Sequence, residues 1–147
     1  MTLRQWLDNK WLTAHRSNPR EIRSMLEIVD RDIRDASNED LSPDWRLAIS
    51  YNATLQCALI ALAASGYRPN KGGSHHYYAI ESMTLTIGAP RDDITAIDAF
   101  RKKRNVSDYE RAGTISEKEA DESLAIAKST KASLLDWLSQ ERPDLVP

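Results

Sequence analysis

The chain has 147 residues, 41% hydrophobic and 29% charged, with a net charge of −2 and a pI near 5.9. These values fit a single globular domain over 1–147, large enough to bury about 68–70% of its unfolded surface. They exclude a wholesale polyanion binder and leave room for a local basic patch.

A first helix is predicted over about residues 2 to 15, with Leu3, Trp6, Leu7, Trp11 and Ala14 on one face. Asn18-Pro19-x-Glu21 then gives an N-cap, a Pro at the first helical position and a capping Glu. The helix it opens carries the stripe Ile22, Leu26, Val29, Ile33, Ala36. Ser42-Pro43 repeats the start signal after a polar loop. The most apolar helix follows, from Trp45 to Ser65, with Trp45, Ala48, Asn52, Leu55, Leu59 and Leu62 on one stripe. Ile49, Ala53, Ile60 and Ala63 form a second stripe, as a central bundle helix requires. Its apolar run 53–64 is interrupted by Gln56 and falls short of the roughly 18 residues of a membrane span. Cys57, the single cysteine, sits inside that run, so a buried and inert thiol in a reducing cytoplasm is expected.

Gly66 stops this helix, and YRPNKGGS connects it to a fourth, HHYYAIESMTLTI, with His76, Ile80, Met83 and Ile87 on one face. A fifth opens at Asp92-Asp93, packs through Ile94, Ile97 and Phe100, and runs into RKKRNVSDYERAG. Ser116-x-x-Glu119 is a capping box for the last helix, which ends with Leu134, Leu135, Trp137 and Leu138 near Pro143. Short links between long amphipathic helices predict an all-α, antiparallel up-down bundle of five to six helices without strands. More amphipathic faces are present than one core needs, which predicts a homodimer. The opening MTLRQWLDNKW has no basic-then-apolar block, so no signal peptide and a cytoplasmic location are expected.

Residues 101–111 hold five cations and two anions, a local +3 on a chain of net −2. The stripe Ile94, Ile97 continues through Arg101 and Arg104, so a core-facing line turns cationic and needs partners or a solvated cleft. Read structurally, it is a basic helix end that suits the helix dipole, with Asp108 available to Arg104 and Gly113 as the stop. Read functionally, it is a phosphate-handling site. His75 and His76 are adjacent, about 100° apart on a helix, and do not make a metal pair. No zinc spacing is present, and Lys71-Gly72-Gly73 lacks the frame of a phosphate loop, so neither metal nor cofactor is expected.

An all-helical chain of this length, with Arg104-Asn105 near the end of its penultimate long helix, resembles the HEPN superfamily (higher eukaryote and prokaryote nucleotide-binding). SGYRPNKGGSHHYYAIES is similar to the segment preceding the motif in bacterial members. The family motif is an Arg, often followed by a polar residue, then His after four to six residues. Here Arg104 takes the Arg position, Asn105 the polar one, and Tyr109 stands where the His is found. The resemblance implies a noncatalytic or degenerate module that binds RNA, a nucleotide or a nucleotidyltransferase-type partner in a toxin–antitoxin or defence context. The alternative it implies is a metal-independent ribonuclease toxin, held by a cognate antitoxin. In that case Arg104 would hold the scissile phosphate, Asn105 orient it and Tyr109 replace His, while Arg101, Lys102 and Lys103 hold the RNA backbone. Arginine suits phosphate because it is always charged and forked. Tyrosine, with a reference pKa near 10, is a poor base unless strongly shifted. A third reading, a structural interaction domain with an incidental basic helix end, stays open.

Overall fold

The computed structural model describes the backbone of residues 1–109 and 114–146, and side chains over 1–105 and 114–146. Among these residues the chain is mostly helical, with six α-helices: α1 (Leu3–Asp8), α2 (Pro19–Ala36), α3 (Pro43–Ser65), α4 (His75–Ser82), α5 (Arg91–Tyr109) and α6 (Glu117–Glu141). A 3-10 turn, Pro143–Leu145, follows α6.

Local start signals are realised as atoms. Asn18 accepts from the Glu21 amide at 2.9 Å, with Pro19 opening α2. Ser42 accepts from the Trp45 amide at 3.2 Å. The Ser116–Glu119 capping box opens α6 with both reciprocal bonds present. Gly66 closes α3 at φ 98°, a left-handed position that a Cβ would strain.

The first helix is shorter than predicted. Asn9 caps α1, and Lys10 takes a left-handed φ of 65° that a helix cannot continue through. Residues beyond it form a strand, β1 (Leu12–Ala14), antiparallel to β2 (Tyr67–Pro69), with Leu12 opposite Pro69 and Ala14 opposite Tyr67. This pairing corrects the expectation of a strand-free chain, and it ties the N-terminal segment to the connector before α4. The fourth helix is also shorter than its periodicity suggests. Ser82 donates to the Ala79 carbonyl at 2.7 Å and Thr84 to that of Glu81 at 3.1 Å, hydroxyl bonds that compete with the helical ladder. Ile80 and Met83 are nonetheless buried as their spacing requires.

Helix α3 is the central element, in contact with α2, α4, α5 and α6. Two apolar clusters lie on different sides of it. One joins Ile22, Leu26 and Val29 of α2 to Ala53, Cys57 and Ile60 of α3 and Leu134 and Leu138 of α6. The other joins Tyr51, Leu55 and Leu62 to Trp6, Leu12, Ile80, Met83, Ile94 and Ile97. By length and composition the 23-residue α3 could cross a membrane, but 78% of its most apolar window is buried inside the bundle, as a core helix is. Trp45 departs from its expected core stripe: it is 64% exposed at the first turn of α3.

One buried cation fastens three helices. Arg46, 3% exposed, donates from Nε to the Ala36 carbonyl at 2.9 Å, at the C-terminus of α2. Its Nη2 meets Asp121 of α6 at 2.8 Å. Among the described residues this is the most deeply buried arginine, and it serves the fold.

Candidate functional site

The cationic end of α5 lies against the middle of α3 and the start of α4. The line Ile94, Ile97 and Phe100 is buried, and Arg101 and Arg104 continue it half-buried, as the stripe predicted. Each guanidinium has found a neighbour. Arg101 donates from Nε to Asp98 Oδ1 at 2.8 Å, one helical turn back. The Arg104 guanidinium carbon sits 5.5 Å from the centroid of the Tyr51 ring, a cation–π contact.

Tyr51 is almost wholly buried, and desolvation pushes its phenol pKa up to about 12 against the pull of Arg104 and Arg101. It therefore stays a neutral phenol. Its hydroxyl lies 3.5 Å from His76 Nδ1, the long limit of a hydrogen bond, so it orients the ring more than it binds it. Burial lowers the His76 pKa from its ordinary 6.5, and His75, Arg104 and Arg101 lower it further by repulsion. The imidazole at this site is neutral near pH 7. His75 touches the His76 ring edge-on at 4.3 Å, and its own Nδ1–H donates to the Gly72 carbonyl at 2.8 Å.

The remaining predicted residues are placed unequally. Lys102 pairs with Asp98 Oδ2 at 3.3 Å, so one carboxylate serves both Arg101 and Lys102. Burial pushes the Asp98 pKa up, but the hydrogen bonds and charges of Arg101 and Lys102 outweigh it and hold it below the usual value. Lys103 pairs with Glu119 at the start of α6. Asn105 is exposed beside Arg104. The side chains of Tyr109 and Asp108 lie outside the described residues. The backbone of α5, however, is helical from Arg91 to Tyr109, without a break near residues 106–107. Five residues along an unbroken helix turn about 140°, so positions 104 and 109 of one chain diverge.

Sequence reasoning missed Tyr51 and Asp98 and left His76 without a role. The available signal was a polar-tipped Tyr51 on the otherwise apolar line Leu55, Ala58, Leu62 of α3. Nearby, Trp11 stacks on Tyr78 at 5.1 Å and Trp6 meets both edge-on, so an aromatic cluster backs the outer face of α4. Tyr77, beside His76, is 41% exposed. No group of three His, Cys, Asp or Glu side chains that could hold a metal gathers among the described residues. The chain matches no protein-family model, no curated protein and no solved structure.

Proposed function

We propose that the chain is a noncatalytic HEPN-like module, an up-down bundle that binds RNA through phosphate contacts at the cationic end of α5. The contact of Arg104 with Tyr51 carries this reading. A guanidinium laid on a buried aromatic ring is fixed in place, and a pre-set fork loses less entropy on taking a phosphate oxygen than a free one. Arg101 lies one turn away, and exposed Asn105 offers an amide to the same ligand. Lys102 and Lys103 extend the basic surface, although Asp98 and Glu119 offset part of their charge. The divergence of positions 104 and 109 favours a module without the family's hydrolytic chemistry, or one that needs a second copy to complete it. A cytoplasmic homodimer in a toxin–antitoxin or defence setting, paired with an antitoxin or nucleotidyltransferase-type partner, is the matching context.

The test is anisotropy of a labelled single-stranded RNA across a salt series. Affinity should fall steeply with salt, by about 0.7 log unit per log unit of salt for each phosphate held. Arg104→Ala should weaken binding and flatten the slope by about one contact. Absence of RNA binding even at low salt refutes the reading.

The neutral His76 imidazole favours a second reading, metal-independent cleavage. There His76 would accept the 2′-hydroxyl proton as that oxygen attacks phosphorus. The bond to the 5′-oxygen breaks, a cyclic phosphate forms, and the 5′-oxygen takes a proton from water. Arg104 would balance the charge on the phosphorane. Cleavage in EDTA that is lost in both Arg104→Ala and His76→Ala supports it. A wild-type protein that binds RNA without cutting it leaves the binding module alone standing.

A further inference from the structure

A second cleft, of about 490 Å³, opens between α2 and α3 beneath β2 and the loop leading to α4. It takes no part in the α5 site. Its floor is aliphatic: Met25 of α2, Leu59 and Ala63 of α3 and Pro69 of β2. Met25 and Leu59 are only half-buried, so this apolar surface is left partly open. The size falls within the range of small-molecule sites, roughly 300–1,000 Å³.

The rim is polar, and its geometry is fixed. Glu21 is held by His15 Nε2 at 2.8 and 3.0 Å and by Arg68 at 3.4 Å, so its charge is already answered. Asn70 fastens the overhanging loop by donating from Nδ2 to the Lys10 carbonyl at 2.7 Å and from its amide to that of Trp11 at 2.9 Å. His75 Nδ1–H is taken up by Gly72, which leaves Nε2 as an acceptor. Lys71 is exposed and makes no ion pair with any described residue. The mouth thus offers, above a hydrocarbon floor, an ammonium that no described residue pairs.

We infer that this cleft binds an aliphatic organic anion, a single hydrocarbon chain bearing a carboxylate or similar head group. The chain would lie along Met25 and Leu59, and the head group would meet Lys71 and Arg68. No Phe, Tyr or Trp lines the cleft, and its one ring, the His75 imidazole, sits at the polar rim, so the aliphatic floor offers a flat base or aryl group no stacking partner. A flexible thioether and a branched aliphatic suit a hydrocarbon chain. Burial of methylene groups supplies affinity, and the head group supplies direction. The inference stands apart from the RNA-binding proposal, because the two sites share only the His75–His76 ring contact.

Calorimetric titration of the full chain with decanoate, decylamine and inorganic phosphate tests it. Decanoate should saturate at one equivalent per chain, while decylamine and phosphate should not bind. Leu59→Trp, which fills the floor, should weaken decanoate by more than about tenfold, and Lys71→Glu by about tenfold, the value of one charge-assisted contact. If Leu59→Trp melts without cooperativity, Met25→Trp makes the same test from the opposite wall. Failure of decanoate to saturate overturns the proposal. So does equal binding of decylamine, saturable binding of phosphate alone, or decanoate binding unchanged in these variants.

Discussion

Arg46→Met separates a structural arginine from the pair on α5 proposed to hold phosphate. Methionine keeps most of the apolar stem and removes only the guanidinium. Two hydrogen bonds are then lost, together with a long 3.9 Å ion pair to the exposed Glu117 that adds little. The one to Asp121 reaches a carboxylate whose side chain is 65% exposed, and such a pair contributes about 0–1 kcal/mol. The bond to the Ala36 carbonyl matters more, because Ala36 is fully buried and its oxygen would be left without that donor. An unmade bond to a buried acceptor costs about 1–3 kcal/mol. The sum is about 1–4 kcal/mol. At about 2–4 °C per kcal/mol for a chain near this size, Tm should drop by about 2–16 °C, centred near 7 °C. Thermal unfolding followed by circular dichroism measures this, with Asp121→Asn as the partner variant. Asp121→Asn should shift Tm by no more than about 4 °C, the equivalent of about 1 kcal/mol. If it costs as much as Arg46→Met, the exposed ion pair dominates and the argument from the buried carbonyl is wrong. If Arg46→Met melts with the wild type, water or rearrangement has replaced the donor.

Two further outcomes follow from burial. The His76 pKa is lowered in the folded chain, so its contribution to stability is complete above its ordinary 6.5 and is lost as pH falls from there toward the folded value. His76→Gln should therefore narrow the fall in Tm between about pH 8 and pH 5, and an unchanged profile would show that His76 does not titrate unfavourably. Burial also pushes the Cys57 thiol up to about 12, with no exposed surface. A thiol-directed disulfide reagent near pH 8 should leave the folded protein unlabelled and react once denaturant is added. Rapid labelling of the native protein would place Cys57 nearer the surface than its packing allows.

What could be read from the sequence was local. Asn18-Pro19, Ser42-Pro43 and Ser116-x-x-Glu119 each fix a helix start within four residues, and each stands where it was expected. The lines Ile22-Leu26-Val29 and Ile94-Ile97-Phe100 were legible because a helix repeats them at its own period. Failures came where distant segments decide. Trp11 continues the period of α1, yet the backbone breaks at Lys10 and pairs with residues 67–69, more than fifty positions later, a choice no local pattern records. The same holds for the α5 site. Its cationic line was visible as a run of residues, but the ring beneath Arg104 comes from α3 and the imidazole beside that ring from α4. Trp45 was assigned to the core by spacing alone, and spacing at the first turn of a helix does not say whether anything packs over it.

Glu119 divides its two oxygens between different tasks. One accepts from the Ser116 amide and hydroxyl, each at 3.2 Å, and secures the first turn of α6, while the other holds Lys103 of α5. Any polyanion that recruits Lys103 must compete with Glu119 for it. Occupancy at the end of α5 and order at the beginning of α6 are therefore thermodynamically linked, and each biases the other by the same free energy. An ion pair of this exposure contributes about 0–1 kcal/mol, small enough to be exchanged without unfolding the cap. If α5 binds a polyanion as proposed, the junction between the two helices would couple that binding to the order of the α6 cap at low cost.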